Sequence, residues 1–206
     1  MTAPGEPGAW VEWSSAGRPL PGETVSGDLA VHVGLDGGAV LAVVDGLGHG
    51  PEAAAAAERA RRVIEGEAGE SIDALLRLAH DALARTRGVA MTIASIRGGG
   101  EMRWVGVGNV EAHVLRRDGH RSRRAASAVL YGGVLGYRLP AVRVSTVELE
   151  PGDLVLMATD GIAPAFTDDV VLGDPLDRMV RTIVERRARP DDDALVAAAR
   201  YRGTVP

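Results

Sequence analysis

Val40–Gly50 reads VLAVVDGLGHG. The apolar run Val40 to Val44 is too short for a helix that must bury itself, but long enough for a strand covered on both faces. It stops at Asp45, after which Gly46, Gly48 and Gly50 alternate with Leu47 and His49. Pro51 opens the alanine-rich stretch Pro51–Ala60. Proline is well tolerated in the first turn of a helix, so a helix is predicted to begin here. A carboxylate at the end of a buried strand, followed by a glycine-rich loop, can hold a metal ion. It can equally be an Asp in a tight turn ahead of a helix, and the stretch alone leaves both readings open.

The composition bounds the answer. A chain of 206 residues with 46% apolar and 25% charged residues matches one ordinary globular domain. All 23 basic residues are arginine, and the net charge of −5 lacks the basic footprint of a general nucleic-acid binder. Three Trp, three Tyr and one Phe are also few for base stacking. There is no cysteine, so a metal must be held by oxygen or imidazole. No apolar run approaches the ~18 residues of a membrane span. The N-terminal MTAPGEPGAW lacks the basic and apolar regions of a signal peptide, so a cytoplasmic protein is expected.

Outward from the opening stretch, residues 1–22 are rich in Pro and Gly and are expected to form a loose or edge-strand lead-in to one domain over residues 23–206. Val25–Gly34 predicts a strand containing Asp28, joined by Asp36-Gly37-Gly38 to the strand Ala39–Val44. Helices are predicted over Pro51–Ile64 and Ser71–Arg85, the latter with Ser71 as N-cap. Val89–Ile96, Met102–Val107 and Val110–Leu115 predict strands, and Gly98–Gly100 and Gly108-Asn109 turns. Arg116–Arg124 is a basic hairpin tip or loop, and Tyr131–Pro140 a glycine-rich loop. Strands over Val142–Leu149 and Leu154–Ala158, a helix over Asp174–Arg187 and a last strand over Ala194–Tyr201 complete the chain. Strands in hairpin order with helices inserted early and late predict an α+β fold of antiparallel sheets covered by helices.

LVLMATDG (Leu154–Gly161) repeats the grammar of VLAVVDG, an apolar strand followed by Asp-Gly. A third acidic cluster, Asp191–Asp193, precedes the last strand, and Asp28 lies in the first. If these strands are neighbours, the acids converge on one edge, where like charges raise one another's pKa values and a cation resolves the repulsion. Oxygen ligands favour hard ions such as Mg²⁺ or Mn²⁺. Two such ions ~3.5–4 Å apart can share a hydroxide and clamp a phosphoryl group for in-line attack.

The strings SGD (26–28), VVDGLGHG (43–50), TRGVAMTIASI (86–96), GVGNVEAHVL (106–115), LMATDGI (156–162) and DDALVAAAR (192–200) resemble the metal-dependent Ser/Thr protein phosphatases of the 2C superfamily. Within it the chain is most similar to the SpoIIE-type branch and its small RsbX-type members, from about residue 20 to 202. The resemblance implies a four-layer α-β-β-α sandwich with two Mn²⁺ or Mg²⁺ ions at one end of two packed antiparallel sheets. It implies that Asp45 bridges both ions and that the Gly46 carbonyl binds one. Asp160 and Asp192 hold the other, with Asp193 the neighbour that can be confused with Asp192, and Asp28 acts through water. Asp45, Asp160 and His49 are the residues placed at the reaction itself, although His49 reads more readily as a loop histidine or substrate-side contact than as a catalytic acid. The larger 2C enzymes carry an arginine near the first strand to grip phosphate. Here Gly22–Gly27 has none and Arg18 is distant. Pro164 stands where an acid for a third ion can occur, so two ions are expected. Asn109 reads as a turn residue where the superfamily often has Asp. His32, His80, His113 and His120 have no metal-ligand spacing.

The expected activity is hydrolysis of phosphoserine and phosphothreonine by a hydroxide bridging the two ions. By resemblance, the substrates are phosphorylated STAS-domain proteins of a stressosome-like complex. No nucleic acid or membrane is expected as partner, and a monomer is expected. The alternative is a non-catalytic pseudophosphatase that binds a phosphoprotein, against which the intact aspartate set argues.

Overall fold

A computed structural model of the chain describes residues 10–118 and 121–203. In chain order the strands are β1 (Val11–Arg18), β2 (Asp28–Leu35), β3 (Gly38–Gly46), β4 (Val89–Arg97), β5 (Glu101–Val107), β6 (Glu111–Asp118), β7 (Arg121–Ser127), β8 (Leu130–Tyr131), β9 (Ser145–Glu148), β10 (Leu154–Ala158) and β11 (Ala194–Tyr201). Helices α1 (Gly50–Gly66) and α2 (Ile72–Leu83) lie between β3 and β4, and α3 (Leu176–Arg187) precedes β11. One sheet runs β1-β11-β10-β6-β7; the other runs β2-β3-β4-β5-β8, with β9 also paired to β5.

The side-chain alternation of β3 shows why the sheets stack. Val40, Ala42 and Val44 belong to the cluster under α1 and α2, whereas Ala39, Leu41 and Val43 face the second sheet. Successive residues of a strand point to opposite faces, so a strand apolar at every position must be covered on both. In the second sheet, Leu154, Leu156, Ala194, Val196 and Ala198 pack under α3. Val155, Met157, Leu195, Ala197 and Ala199 face the inter-sheet core. The result is the expected α-β-β-α sandwich. The alanines of α1 that are buried (Ala53, Ala56, Ala57, Ala60) let its backbone approach the sheet closely. A Cβ on Gly46 would lie 2.3 Å from the Ala53 carbonyl oxygen, so this crossing requires glycine. In α2, Ser71 is the N-cap and accepts a hydrogen bond from the Ala74 N–H.

Three regions differ in detail from expectation. Within residues 1–22, Val11–Arg18 is a regular edge strand along β11, and residues 1–9 of the expected lead-in lie outside the described residues. Arg121–Ser127, RSRRAAS, pairs with β6 as an edge strand although it has no apolar alternation, because an edge strand facing water need not carry one. The strand expected over Val142–Leu149 is confined to Ser145–Glu148, and the glycine-rich stretch before it contributes β8, a two-residue parallel pairing on β5 in otherwise antiparallel sheets. His120 lies outside the described residues.

Candidate functional site

The alternation that buries β3 also aims Asp45. It follows Leu41 and Val43 on the inter-sheet face, and β2 pairs Asp28 directly opposite it. Thr159, one residue beyond β10, continues the inward positions Val155 and Met157, while Asp193, one residue before β11, continues Leu195 and Ala197. Four strand ends thereby bring Asp28, Asp45, Asp160, Asp192 and Asp193 to one end of the sandwich. The glycines after the strands permit this approach: a Cβ on Gly161 would lie 1.7 Å from the Asp193 carbonyl oxygen.

Electrostatics register the convergence. Asp28 is pushed up to about 8, first by burial and then by the charge of Asp45, against the stabilising hydroxyl of Thr159. Asp45 is pushed up to about 7 by burial and by Asp160, Asp192 and Asp193. Asp192 is also raised, by burial and by Asp160. The two members of the Asp192-Asp193 pair are not equivalent. Asp193 is 3% exposed, and its Oδ1 and Oδ2 accept from the backbone N–H groups of Leu20 and Gly27, each at 2.7 Å. Asp192 uses one oxygen to accept from the Asp193 N–H at 2.9 Å.

The other carboxylates rest on neutral donors. The Thr159 hydroxyl donates to Asp28 Oδ2 at 2.7 Å and accepts from the Leu195 N–H at 3.0 Å. The Asn109 amide donates to Asp160 Oδ2 at 2.7 Å. Among the described residues, no three acidic, histidine or cysteine side chains are as yet drawn together tightly enough to share one ion. The donor chemistry fits a hard divalent cation, because two half-buried carboxyls raised by burial and by like charge gain most from one. The Gly46 carbonyl oxygen is part of the same floor. A Cβ on Gly27 would lie 3.2 Å from that oxygen, 3.2 Å from Asp193 Oδ2 and 2.7 Å from the Ala53 Cβ, so only glycine leaves this space open.

His49 stands at the rim, 56% exposed, with Nδ1 2.8 Å from Glu23 Oε1. Arg18, distant in sequence, is brought to the site, but its guanidinium donates to the backbone carbonyls of Pro19, Asp192 and Arg189. Of the remaining histidines, His32 stacks on Trp13, His80 Nδ1 accepts from the Gly136 N–H, and buried His113 bonds Glu111 and Ser127.

Residues 35–202 match the family model of stage II sporulation protein E. The chain belongs to the SpoIIE family. No curated protein sequence matches it. Among solved structures, it is similar to a chain from a study of the bacterial stressosome as a modular system adapted to control secondary messenger signalling. That match has 29% identity, a TM-score of 0.80, and covers 92% of this chain and 99% of the other. It is similar to RsbX solved in complex with magnesium, at 20% identity and TM-score 0.79, over 92% and 94% of the two chains. It is also similar to the PP2C phosphatase domain of SpoIIE from Bacillus subtilis, at 18% identity and TM-score 0.74, over 96% of this chain and 65% of that one. The fold is that of PP2C-type phosphatase domains. No described helix is long and apolar enough to cross a membrane.

Three contributors were not singled out as site residues in the sequence. Thr159 lies inside the ATDG string, where a threonine before Asp-Gly carries no spacing of its own. Asn109 was visible but indistinguishable from a turn residue. Glu23 had no signal, since its contact with His49 spans 26 residues.

Proposed function

We propose that this SpoIIE-family chain hydrolyses phosphoserine and phosphothreonine on proteins with two Mg²⁺ or Mn²⁺ ions, held by Asp28, Asp45, Asp160, Asp192 and the Gly46 carbonyl. The observation that carries this reading is the pair Asp28 and Asp45, facing each other across β2 and β3 with pKa values of about 8 and 7. Ions of this kind lower the pKa of water enough to make it a nucleophile near neutral pH, and they neutralise charge on a phosphoryl group in transfer. The chain's own residues prepare the site. Thr159 fixes the rotamer of Asp28, and Asn109 that of Asp160. Asp193 serves as an anchor that ties Leu20 and Gly27 to the floor, which leaves Asp192 as the ligand of the pair. Protons held by Asp28 and Asp45 near pH 7 must leave as cations enter, so affinity rises with pH. His49, exposed and tied to Glu23, is assigned a contact on the substrate side.

The substrates proposed are phosphorylated STAS-domain proteins of a cytoplasmic stressosome-like complex, a reading supported by the likeness to RsbX and to the stressosome chain. The test is release of phosphate from a phosphorylated STAS protein with Mn²⁺. Asp45→Ala should abolish it, whereas full turnover in EDTA would overturn the metal mechanism, and tight binding without release would indicate a pseudophosphatase.

A further inference from the structure

We propose that Arg87 grips the phosphoryl group of the substrate, through a guanidinium poised over the Asp45–Gly50 loop. The assignment rests on the phosphatase reading above. The site's own charges at the strand ends are carboxylates, so a phosphate dianion meets repulsion that ligand-held cations offset only in part. A planar guanidinium matches two phosphate oxygens at once and stays charged at every working pH.

Arg87 is placed for this. A Cβ on Gly48 would lie 2.8 Å from Arg87 Nη1, so the guanidinium rests on the loop that follows Asp45. Its backbone is fixed from both sides. The Leu47 N–H donates to the Gly88 carbonyl at 3.1 Å, stitching the loop to the 86–88 turn. The Thr86 hydroxyl donates to the Leu83 carbonyl at 2.8 Å and accepts from the Gly88 N–H at 3.0 Å. The side chain, in contrast, has one exchangeable partner among the described residues. Its Nη2 lies 2.5 Å from Glu52 Oε2, with the two side chains 49% and 71% exposed. Exposed ion pairs are weak and easily traded for a stronger anion. Arg18, another arginine at this end, has its guanidinium turned to three backbone carbonyls. Glu52 therefore parks the Arg87 guanidinium at the rim, and an entering phosphate displaces it.

The experiment uses the full chain loaded with Mn²⁺ and reads KM for a phosphoserine protein and the inhibition constant of orthophosphate. Arg87→Ala should weaken both by about tenfold or more, the worth of a hydrogen bond to a charged group. Stabilisation by Mn²⁺ in thermal unfolding should not change. Arg87→Lys should recover part of the loss, keeping the charge without the fork. Glu52→Gln breaks the same ion pair from the other side, and should leave orthophosphate binding equal or tighter. If the bridge merely braces α1, the two variants will shift inhibition and melting in the same direction, which overturns the assignment. An unchanged inhibition constant in Arg87→Ala overturns it as well. Wild-type protein that releases no phosphate with Mn²⁺ would instead overturn the phosphatase reading.

Discussion

Replacing Asp45 with Asn should stabilise the metal-free protein at pH 8 while destroying its response to Mn²⁺. Burial and three neighbouring carboxylates raise Asp45 from its ordinary 3.8 to about 7. At about 1.4 kcal/mol per pH unit of displacement, the ionised group carries at most about 4 kcal/mol of unfavourable free energy. Water reaches this half-buried carboxylate, so about 1–2 kcal/mol is the gain expected from the amide. For a chain of this size that is about 2–8 °C in Tm. The sign follows from proton uptake: the folded state keeps protons on Asp28 and Asp45 that the unfolded chain has released. Stability therefore falls as pH rises from about 4 through 8, the window between the ordinary 3.8 and the folded values of about 7 and 8. Below that window both states are neutral and the variant gains nothing.

Thermal unfolding in EDTA at pH 4.5 and pH 8, followed by circular dichroism, compares the foot of this window, where the gain is small, with its top. Added Mn²⁺ should invert the order. At a hundredfold excess over Kd, a cation bound only by the folded state adds about 2.7 kcal/mol to the wild type and little to the variant. An Asp45→Asn protein that melts at or below the wild-type temperature in EDTA at pH 8 would refute the claim that repulsion is stored at these strand ends.

Three further outcomes follow from the same geometry. Asp193→Ala removes the acceptor for the Leu20 and Gly27 N–H groups and should cost about 3 kcal/mol in urea unfolding, with an unchanged m-value and weaker Mn²⁺ binding. Gly161→Ala sets a Cβ 1.7 Å from the Asp193 carbonyl oxygen, so it should cost about 3 kcal/mol or more and lower Mn²⁺ affinity along with stability. Arg116→Ala leaves Asp153, 2% exposed, without the guanidinium that reaches both its oxygens, and should cost about 3 kcal/mol while leaving KM and Mn²⁺ affinity unchanged, because the pair lies at the Leu154 end of β10, away from Asp160.

What the sequence discloses here is set by period. The layers are legible because β3, β4, β10 and β11 are apolar at nearly every position, and only coverage on both faces explains such strands. The three α-helices are legible from apolar spacing and, at α2, a cap. β7 is not, because the polar run RSRRAAS owes its strand state to hydrogen bonds from β6 rather than to any pattern of its own. Glu23 with His49 and Arg87 with Glu52 join residues far apart in the chain, and no local spacing announces such pairs.

Asp192 and Asp193 show where the limit lies. Side by side in the sequence they are interchangeable, and the choice between them turns on which face of β11 each continues. Leu195, Ala197 and Ala199 face the inter-sheet core, so an odd position just before the strand points inward, under the loop that ends at Gly27. Asp193 is driven there by the pleat, and both its oxygens are consumed in holding the floor. Asp192, one residue earlier, is raised by burial and by the charge of Asp160, and one of its oxygens accepts from the Asp193 N–H. The same parity puts Asp45 on the inward face of β3, after Leu41 and Val43. The pleat that buries the apolar run thus also decides which carboxylates can meet, and a one-residue slip in β3 would turn Asp45 towards α1 and dismantle the site along with the core.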